Sequence, residues 1–331
     1  MIKMKVGFIS FAHMHAASYL HAMLGRSDVE VVGIADEDAE RVAPFTTGKG
    51  ISYYADYNEL LAQDVDAVVI CSENARHAEL TLKVAEAGKH VLCEKPLGLS
   101  EEEMLGMIQV CRDRGVQLMT AFPCRYLTAV RQAKQAINEG QIGEIVAMKG
   151  TNRGTMPGGW FIEKEHSGGG AVLDHTVHVM DLMHWFTGSV VEEVYAHAET
   201  LFHETDIDDA GMVHVKFANG VFAVLDPSWS RSSSFPTWGD VTLEVIGTKG
   251  TLSIDAFAQK NDLYSDAAGK ANWSYWGDDM DTELVNSFVD RIIQGQPVLV
   301  TGEDGYRSAR VGLAAYESAR TGQPVQLKRQ G

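Results

Sequence analysis

Short, continuously apolar, β-branched runs separated by helical stretches dominate the first third of this chain and leave it few folds. Residues 5–10, 29–35, 66–71 (DAVVIC), 90–93 (HVLC) and 116–120 read as strands. Between them, residues 13–24 read as a helix closed by Gly25, residues 74–87 as one stopped at Gly88, and residues 101–114 as one capped by Ser100. A strand that is apolar on both faces needs cover on both faces. The pattern predicts a parallel, doubly wound sheet.

The rhythm changes near Pro123. A helix is expected over 128–138, then longer alternating segments at 145–151, 190–199, 212–217, 221–229 and 241–246. Period-two patterning with the turns Asn219-Gly220 and Lys249-Gly250 predicts an antiparallel sheet. Helices at 281–293 and 302–320 close the chain, and no internal repeat is visible. The expected organisation is α/β, with a nucleotide-type domain over 1–122. An α+β domain over 123–331 carries an open, mostly antiparallel sheet.

Charge excludes some functions. The 331 residues include 45 acidic and 28 basic side chains, a net charge of −17, so no basic face is available for a nucleic-acid backbone. The apolar runs fall short of the ~20 residues a membrane span needs. The opening MIKMKVGFIS runs into a strand pattern with no secretory segment, so a cytoplasmic location is expected. Cys71, Cys93, Cys111 and Cys124 lack metal-type spacing and are expected as reduced thiols.

A dinucleotide site needs a tight turn after the first strand and a helix N-terminus aimed at the phosphates. The turn here is Ser10-Phe11-Ala12-His13-Met14-His15, and its three fingerprint positions fall on Ser10, Ala12 and His15, none of them glycine. Asp36 ends the second strand 21 residues after His15, where an acid can accept both ribose hydroxyls of an adenosine. It is equally placed to cap the helix expected after Asp38.

Cys71-Ser72-Glu73-Asn74-Ala75-Arg76-His77 joins a strand to a helix, and Glu94-Lys95-Pro96 follows the next strand. A lysine there sits at the crevice where doubly wound sheets bind ligands, although most lysines are simply solvated. These segments, with AGKHVLCEKPLGLS, GGGAVLDHTVHVMDL and the closing SARVGLAAYESARTGQPVQL, resemble the glucose–fructose oxidoreductase / inositol dehydrogenase / MocA-like NAD(P)-dependent oxidoreductases. The matching stretches span nearly the whole chain in the family's order.

The resemblance implies a Rossmann domain and a second domain whose open sheet often forms the oligomer interface, here a homodimer or homotetramer. It implies a nicotinamide cofactor, and the acids Asp36, Glu37 and Asp38 favour NAD over NADP. By motif position, Ser10, Phe11, Ala12, His13 and Asp36 would hold the adenosine and diphosphate half. Cys71, Ser72, Asn74 and His77 would lie along the cofactor, with Glu94 and Lys95 near the nicotinamide ribose. Lys95 corresponds to the family's catalytic lysine. Two departures stand out: the missing glycines, and Glu73 where the family usually has proline.

After Gly168-Gly169-Gly170 comes AVLDHTVHVMDLMHWF, apolar almost all round and therefore buried. At ~100° per residue, Asp174, His178 and Asp181 share one seam. Its ionisable groups need a partner or a function. An internal Asp–His hydrogen bond would satisfy them, and a metal site would need a further ligand such as His166 or His175. No metal is expected. In the family, an Asp and a His four residues apart on this helix assist the lysine, here Asp174 and His178. Arg125, Tyr126, Arg153, Trp160 and His175 are the substrate-pocket candidates. The expected activity is NAD-dependent oxidation or reduction of a secondary alcohol in a sugar, cyclitol or related polyol. Two rivals are glycoside cleavage through transient oxidation and a non-catalytic nucleotide or sugar sensor.

Overall fold

The computed structural model describes residues 3–328. Met1, Ile2 and residues 329–331 lie outside the described residues, and with them the first residues of the MIKMKVGFIS segment. The chain divides into two compact units.

The first unit begins with β1 (Met4–Ile9), α1 (His15–Leu24), β2 (Val29–Ala35), α2 (Ala39–Thr46), β3 (Ser52–Tyr54) and α3 (Tyr57–Leu61). It continues with β4 (Ala67–Ile70), α4 (His77–Glu86), β5 (His90–Cys93), α5 (Glu101–Arg114) and β6 (Leu118–Thr120). The strands form one parallel sheet in the order β3-β2-β1-β4-β5-β6. Its direction of winding reverses between β1 and β4, which places a ligand crevice at the carboxyl ends of those strands. Local signals set several bounds. Ser100 accepts the Glu103 amide (3.2 Å) at the head of α5, and Gly115 closes it with φ +67°. Residues 74–76 form a 3-10 turn ahead of α4 rather than its first turn.

The second unit starts with α6 (Thr128–Asn138), β7 (Ile145–Thr151), α7 (Lys164–Ser167) and α8 (Ala171–Thr187). Then come β8 (Val191–Glu199), β9 (Ala210–Phe217), β10 (Phe222–Asp226), β11 (Thr242–Gly247), β12 (Thr251–Asp255), β13 (Lys260–Ser265) and β14 (Lys270–Tyr275). The chain ends with α9 (Met280–Ile293), α10 (Gly302–Thr321) and β15 (Val325–Gln326). The large sheet runs β12-β11-β7-β10-β9-β8-β15, antiparallel except where β10 lies parallel to β7. Strands β13 and β14 make a separate hairpin. Along β9, Val213, Val215 and Phe217 are buried while Met212, His214 and Lys216 are exposed. That alternation turns one face toward α8. Gly150 on β7 lets α8 approach, since a Cβ there would lie 2.6 Å from Val179.

The second domain expected as a continuous stretch over 123–331 is revised by the contacts. Residues 280–306 group with the first unit, and residues 124–279 with 307–328 form the second. The reason is packing. Leu284, Val285, Phe288 and Val289 of α9 are buried, and α9 packs against α1. Arg26 fastens it by hydrogen bonds to Asn286 (3.0 Å) and Asp290 (2.6 Å). Past α9, the Thr120 amide donates to the Val300 carbonyl (3.2 Å), covering the outer edge of β6. Among the described residues no helix is long and apolar enough to cross a membrane.

Candidate active site

In the first unit, the glycine-free turn keeps a glycine-like backbone. Ser10 has φ +67°, the single positive value for a non-glycine among the described residues. This conformation costs an ordinary side chain roughly 1–2 kcal/mol. The Ser10 hydroxyl offsets part of it by accepting the Ala12 amide (3.1 Å). Phe11 donates its amide to Oδ2 of Asp36 (2.7 Å), and His13 donates its own to the Cys71 carbonyl (2.9 Å). The turn is thereby tied to the ends of β2 and β4, on either side of β1.

Asp36 is buried. Its Oδ1 accepts the Asp38 amide (2.8 Å) and faces Arg41 Nη1 (3.4 Å). Of the roughly four acceptor positions on a carboxylate, one remains, on Oδ2. Asp36 can therefore take one ribose hydroxyl without releasing the turn, where the sequence suggested two. The helix-capping alternative falls to Asp38, whose Oδ1 accepts the Glu40 and Arg41 amides. An open cleft of about 430 Å³ lies beside Asp36, lined by Ser10, Glu37, Arg41, Tyr57 and Arg76 among others. Its size, carboxylate and flanking cations fit the nucleoside half of a dinucleotide. Glu73 is among the residues that line it.

Further along the same sheet edge, Ser72, Asn74 and His77 are buried. The two nitrogens of His77 face the Pro96 carbonyl (2.8 Å) and the Ser72 carbonyl (3.3 Å), and burial holds its pKa below the usual imidazole value. Cys71 is fully buried, which pushes its thiol up. Glu94 has no exposed surface, and Lys95 is 4% exposed. Oε1 of Glu94 accepts from Tyr19 (2.7 Å) and from Nδ1 of His15 (3.0 Å), and Oε2 accepts the Lys95 amide (3.0 Å). Burial opposes ionisation of Glu94, but the charges of His13, His15 and Lys95 outweigh it and hold the carboxyl well below its usual range.

His13, His15 and Glu94 also form a group of metal-type donors, with ligating atoms within 4.8 Å. Their hydrogen bonding fits an ion pair better than a ligand set. Nδ1 of His13 lies 3.2 Å from the His15 amide, which occupies it as an acceptor, and Nε2 faces Glu94 across 3.9 Å.

In the second unit, Asp174, His175 and His178 are all buried on α8. The head of that helix is capped from a distance. Asp208 accepts the Gly170 and Val172 amides (3.0 and 2.7 Å), and the Tyr316 hydroxyl accepts those of Gly170 and Leu173 while donating to Asp208 (2.8 Å). Gly169 and Gly170 are needed for this, because a Cβ would lie 2.3 Å from the Tyr316 hydroxyl or 1.9 Å from the Asp208 carbonyl. Nε2 of His175 lies 3.4 Å from Asp174, and its Nδ1 is 3.2 Å from the Pro227 carbonyl. Asp181 forms a fork with Arg125, Nε and Nη2 each donating across 2.6 Å, with both side chains nearly fully buried. That fork gives Arg125 a structural task beside its candidacy for the pocket.

Arg153 reaches Asp240 (3.3 Å), which also pairs with Arg231 and accepts from Thr151 (2.7 Å). Trp160 stacks on Phe161, and Tyr126 is buried. His166 is exposed in α7 beside Glu163. Sequence reasoning missed Trp238, whose ring lies 6.0 Å from that of His175, and Gly154, where a Cβ would lie 2.6 Å from the same ring. It also missed Arg231, Asp240 and the pairing of His15 with Glu94. The doubled histidine in the turn was the one available signal for that pair.

Residues 4–122 match the family described as an oxidoreductase family with an NAD-binding Rossmann fold, and residues 130–253 match the GFO/IDH/MocA C-terminal domain. The chain is 30% identical over 314 residues to the myo-inositol 2-dehydrogenase of Thermotoga maritima, covering 91% of this chain and 92% of that protein. To the 1,5-anhydro-D-fructose reductase of Ensifer adhaerens it is 32% identical over 314 residues, covering 90% and 91%. The solved structure of GenD2 from gentamicin A biosynthesis, in complex with NAD, matches with a TM-score of 0.91 at 25% identity, covering 99% of this chain and 97% of that one.

Proposed function

The chain belongs to the GFO/IDH/MocA oxidoreductases, and from that premise we propose an NAD-dependent dehydrogenase or reductase acting on a secondary alcohol of a sugar, cyclitol or related polyol. Lys95 carries the reading. It is a buried lysine just past the carboxyl end of an interior parallel strand, following an ionised glutamate, in a unit that matches an NAD-binding family.

The nicotinamide, when bound, supplies the acceptor for the hydride leaving the carbinol carbon. Lys95 donates a hydrogen bond to the substrate oxygen and stabilises its developing alkoxide character. His178 takes the hydroxyl proton as general base, and Asp174 stabilises the imidazolium that results. His175, fixed between Asp174 and the Pro227 carbonyl, bounds the substrate pocket with Trp238 behind it. In reduction each step reverses, with imidazolium as the acid.

The test is a panel of polyols, cyclitols and glycosides with NAD, following NADH and released aglycone together. Net NADH with a simple polyol supports the reading. Aglycone release without net NADH would replace it with cleavage through transient oxidation. Loss of turnover without loss of NAD binding in Lys95→Met would place the lysine in the chemistry.

The open face of the second unit's sheet exposes Phe222 (58%), Ile246 (39%) and Met212 (38%) beside His214 and Lys149. Exposed apolar side chains on one sheet face favour a partner surface. A homodimer or homotetramer through this face is proposed, and sedimentation of Phe222→Lys against the parent checks it.

A further inference from the structure

His15 stands at the first position of α1, yet its ring pairs with a residue beyond the end of β5. Because the strand order is β1-β4-β5, that contact crosses the carboxyl end of β4 and the crevice where the winding reverses. In doubly wound folds a bound dinucleotide lies along this edge, with its diphosphate at the first helix N-terminus. A glycine-rich turn brings its amides close to the phosphates there, whereas the Phe11, Ala12, His13 and His15 amides already donate within this protein.

The ring's orientation is fixed. The Glu94 carboxylate can only accept, so Nδ1 of His15 carries the hydrogen between them (3.0 Å). Tyr19, one helical turn on, donates to the same Oε1 and holds it in place. Glu94 is fully buried, while the His15 side chain keeps 24% exposure, so the inner edge is anchored and the outer Nε2 edge is accessible.

We propose that His15, held as an imidazolium by Glu94, grips the dinucleotide diphosphate in place of turn amides that are already engaged, so that NAD binding is coupled to protonation of this ring. The proposal rests on the dinucleotide reading above. Burial of the ring opposes protonation, but the charge and hydrogen bond of Glu94, with Asp281 from α9, outweigh it, while Lys95 works against it. His13 faces the same carboxylate from the turn. Tyr19, Cys71, Cys93 and His77 also face Glu94; burial pushes the first three up and His77 down, so all four stay neutral at physiological pH.

The experiment is calorimetric titration of the full chain with NAD, ADP-ribose and adenosine from pH 6.5 to 9, for the parent, His15→Gln and His13→Gln. Each pKa unit that the diphosphate adds to His15 is a factor of ten in affinity, so NAD and ADP-ribose should weaken about tenfold across the range. Adenosine, which lacks the diphosphate, should not change. His15→Gln should bind NAD more weakly at pH 6.5 and lose the slope, while His13→Gln should keep it. A parental slope in His15→Gln, or the same slope with adenosine, overturns the proposal and leaves the cofactor in place. A parent that binds no dinucleotide overturns both readings. If His15→Gln does not fold, histidine NMR titration of the parent decides: NAD must raise the pKa of His15, and an unchanged value overturns the proposal.

Discussion

The amide of Phe11 donates to Oδ2 of Asp36 across 2.7 Å, both groups buried. The acid that ends β2 is therefore a strut for the turn that follows β1. Asp36→Ala should strand the Phe11 and Asp38 amides, costing about 1–3 kcal/mol for a buried donor left unmet. Its ligand-free melting temperature should fall and NAD binding should weaken. Asp36→Asn, which keeps one acceptor oxygen, should lose less stability. In the parent, a 2′-phosphate would meet the like charges of Asp36, Glu37 and Asp38. Calorimetry should find NAD tighter than NADP, and the opposite order would refute this.

His178→Asn should fold and bind NAD as the parent does but turn over roughly 10²–10⁴-fold more slowly if proton transfer limits the rate. Asp174→Asn should cost less, because the base remains. Combined with Lys95→Met, the losses should not add, since the proposed mechanism has the three groups serve one proton-transfer event. Near-parental turnover in His178→Asn would sink this mechanism.

Arg125 and Asp181 form a buried, bidentate pair. Asp181→Ala removes the carboxylate from its buried bidentate pair with the guanidinium and should cost about 3–5 kcal/mol. The double variant Arg125→Met/Asp181→Leu should recover most of that, because well-packed apolar groups replace such pairs at little net cost. Urea melts of the three variants measure it. A double variant no more stable than Asp181→Ala would argue that Arg125 is needed for more than charge balance.

Stability should also report the histidines. His15 has a raised folded pKa, so its contribution is full below the unfolded value of 6.5 and is lost as pH rises through the folded one. His77 and His90 are held low by burial, so theirs is present above 6.5 and is lost as pH falls. Glu94, lowered well below 4.5, adds a loss at stronger acid. The ligand-free protein should melt highest near pH 6.5. His15→Gln should flatten the alkaline side alone, and calorimetric scans at stepped pH would show otherwise if another group is responsible.

Cys71, Cys93, Cys111 and Cys124 are buried free thiols. Burial pushes Cys111 up to about 12 and Cys71 and Cys93 upward too, far from the thiolate form that reacts. A thiol reagent at pH 8 should label the native protein slowly and the urea-unfolded protein at once. Fast native labelling would mean local opening near one of these strands.

Much of the first unit was legible because its signals are local. The strands Val29–Ala35 and His90–Cys93 and the helix Glu101–Arg114 fall where β-branched runs, a serine cap and a closing glycine place them. The strand Ser52–Tyr54 was not legible. It is three residues long at the sheet edge and mostly exposed, so it carries no apolar run. Strands β13 and β14 were hidden for a similar reason: their aromatic and polar residues are largely exposed, and pairing with each other defines them.

The sequence by itself determined the alternation that makes a doubly wound sheet, the lysine at the end of β5, and a buried helix with a polar seam. Each is written in neighbouring residues, where periodicity and caps act over a few positions. Only the tertiary structure decided the partners. Asp181 took Arg125 from 56 residues away, Glu94 took His15 from 79, and the head of α8 took Asp208 and Tyr316. A buried charge or amide must be met by whatever group the fold brings within about 3 Å, and separation along the chain does not limit that choice.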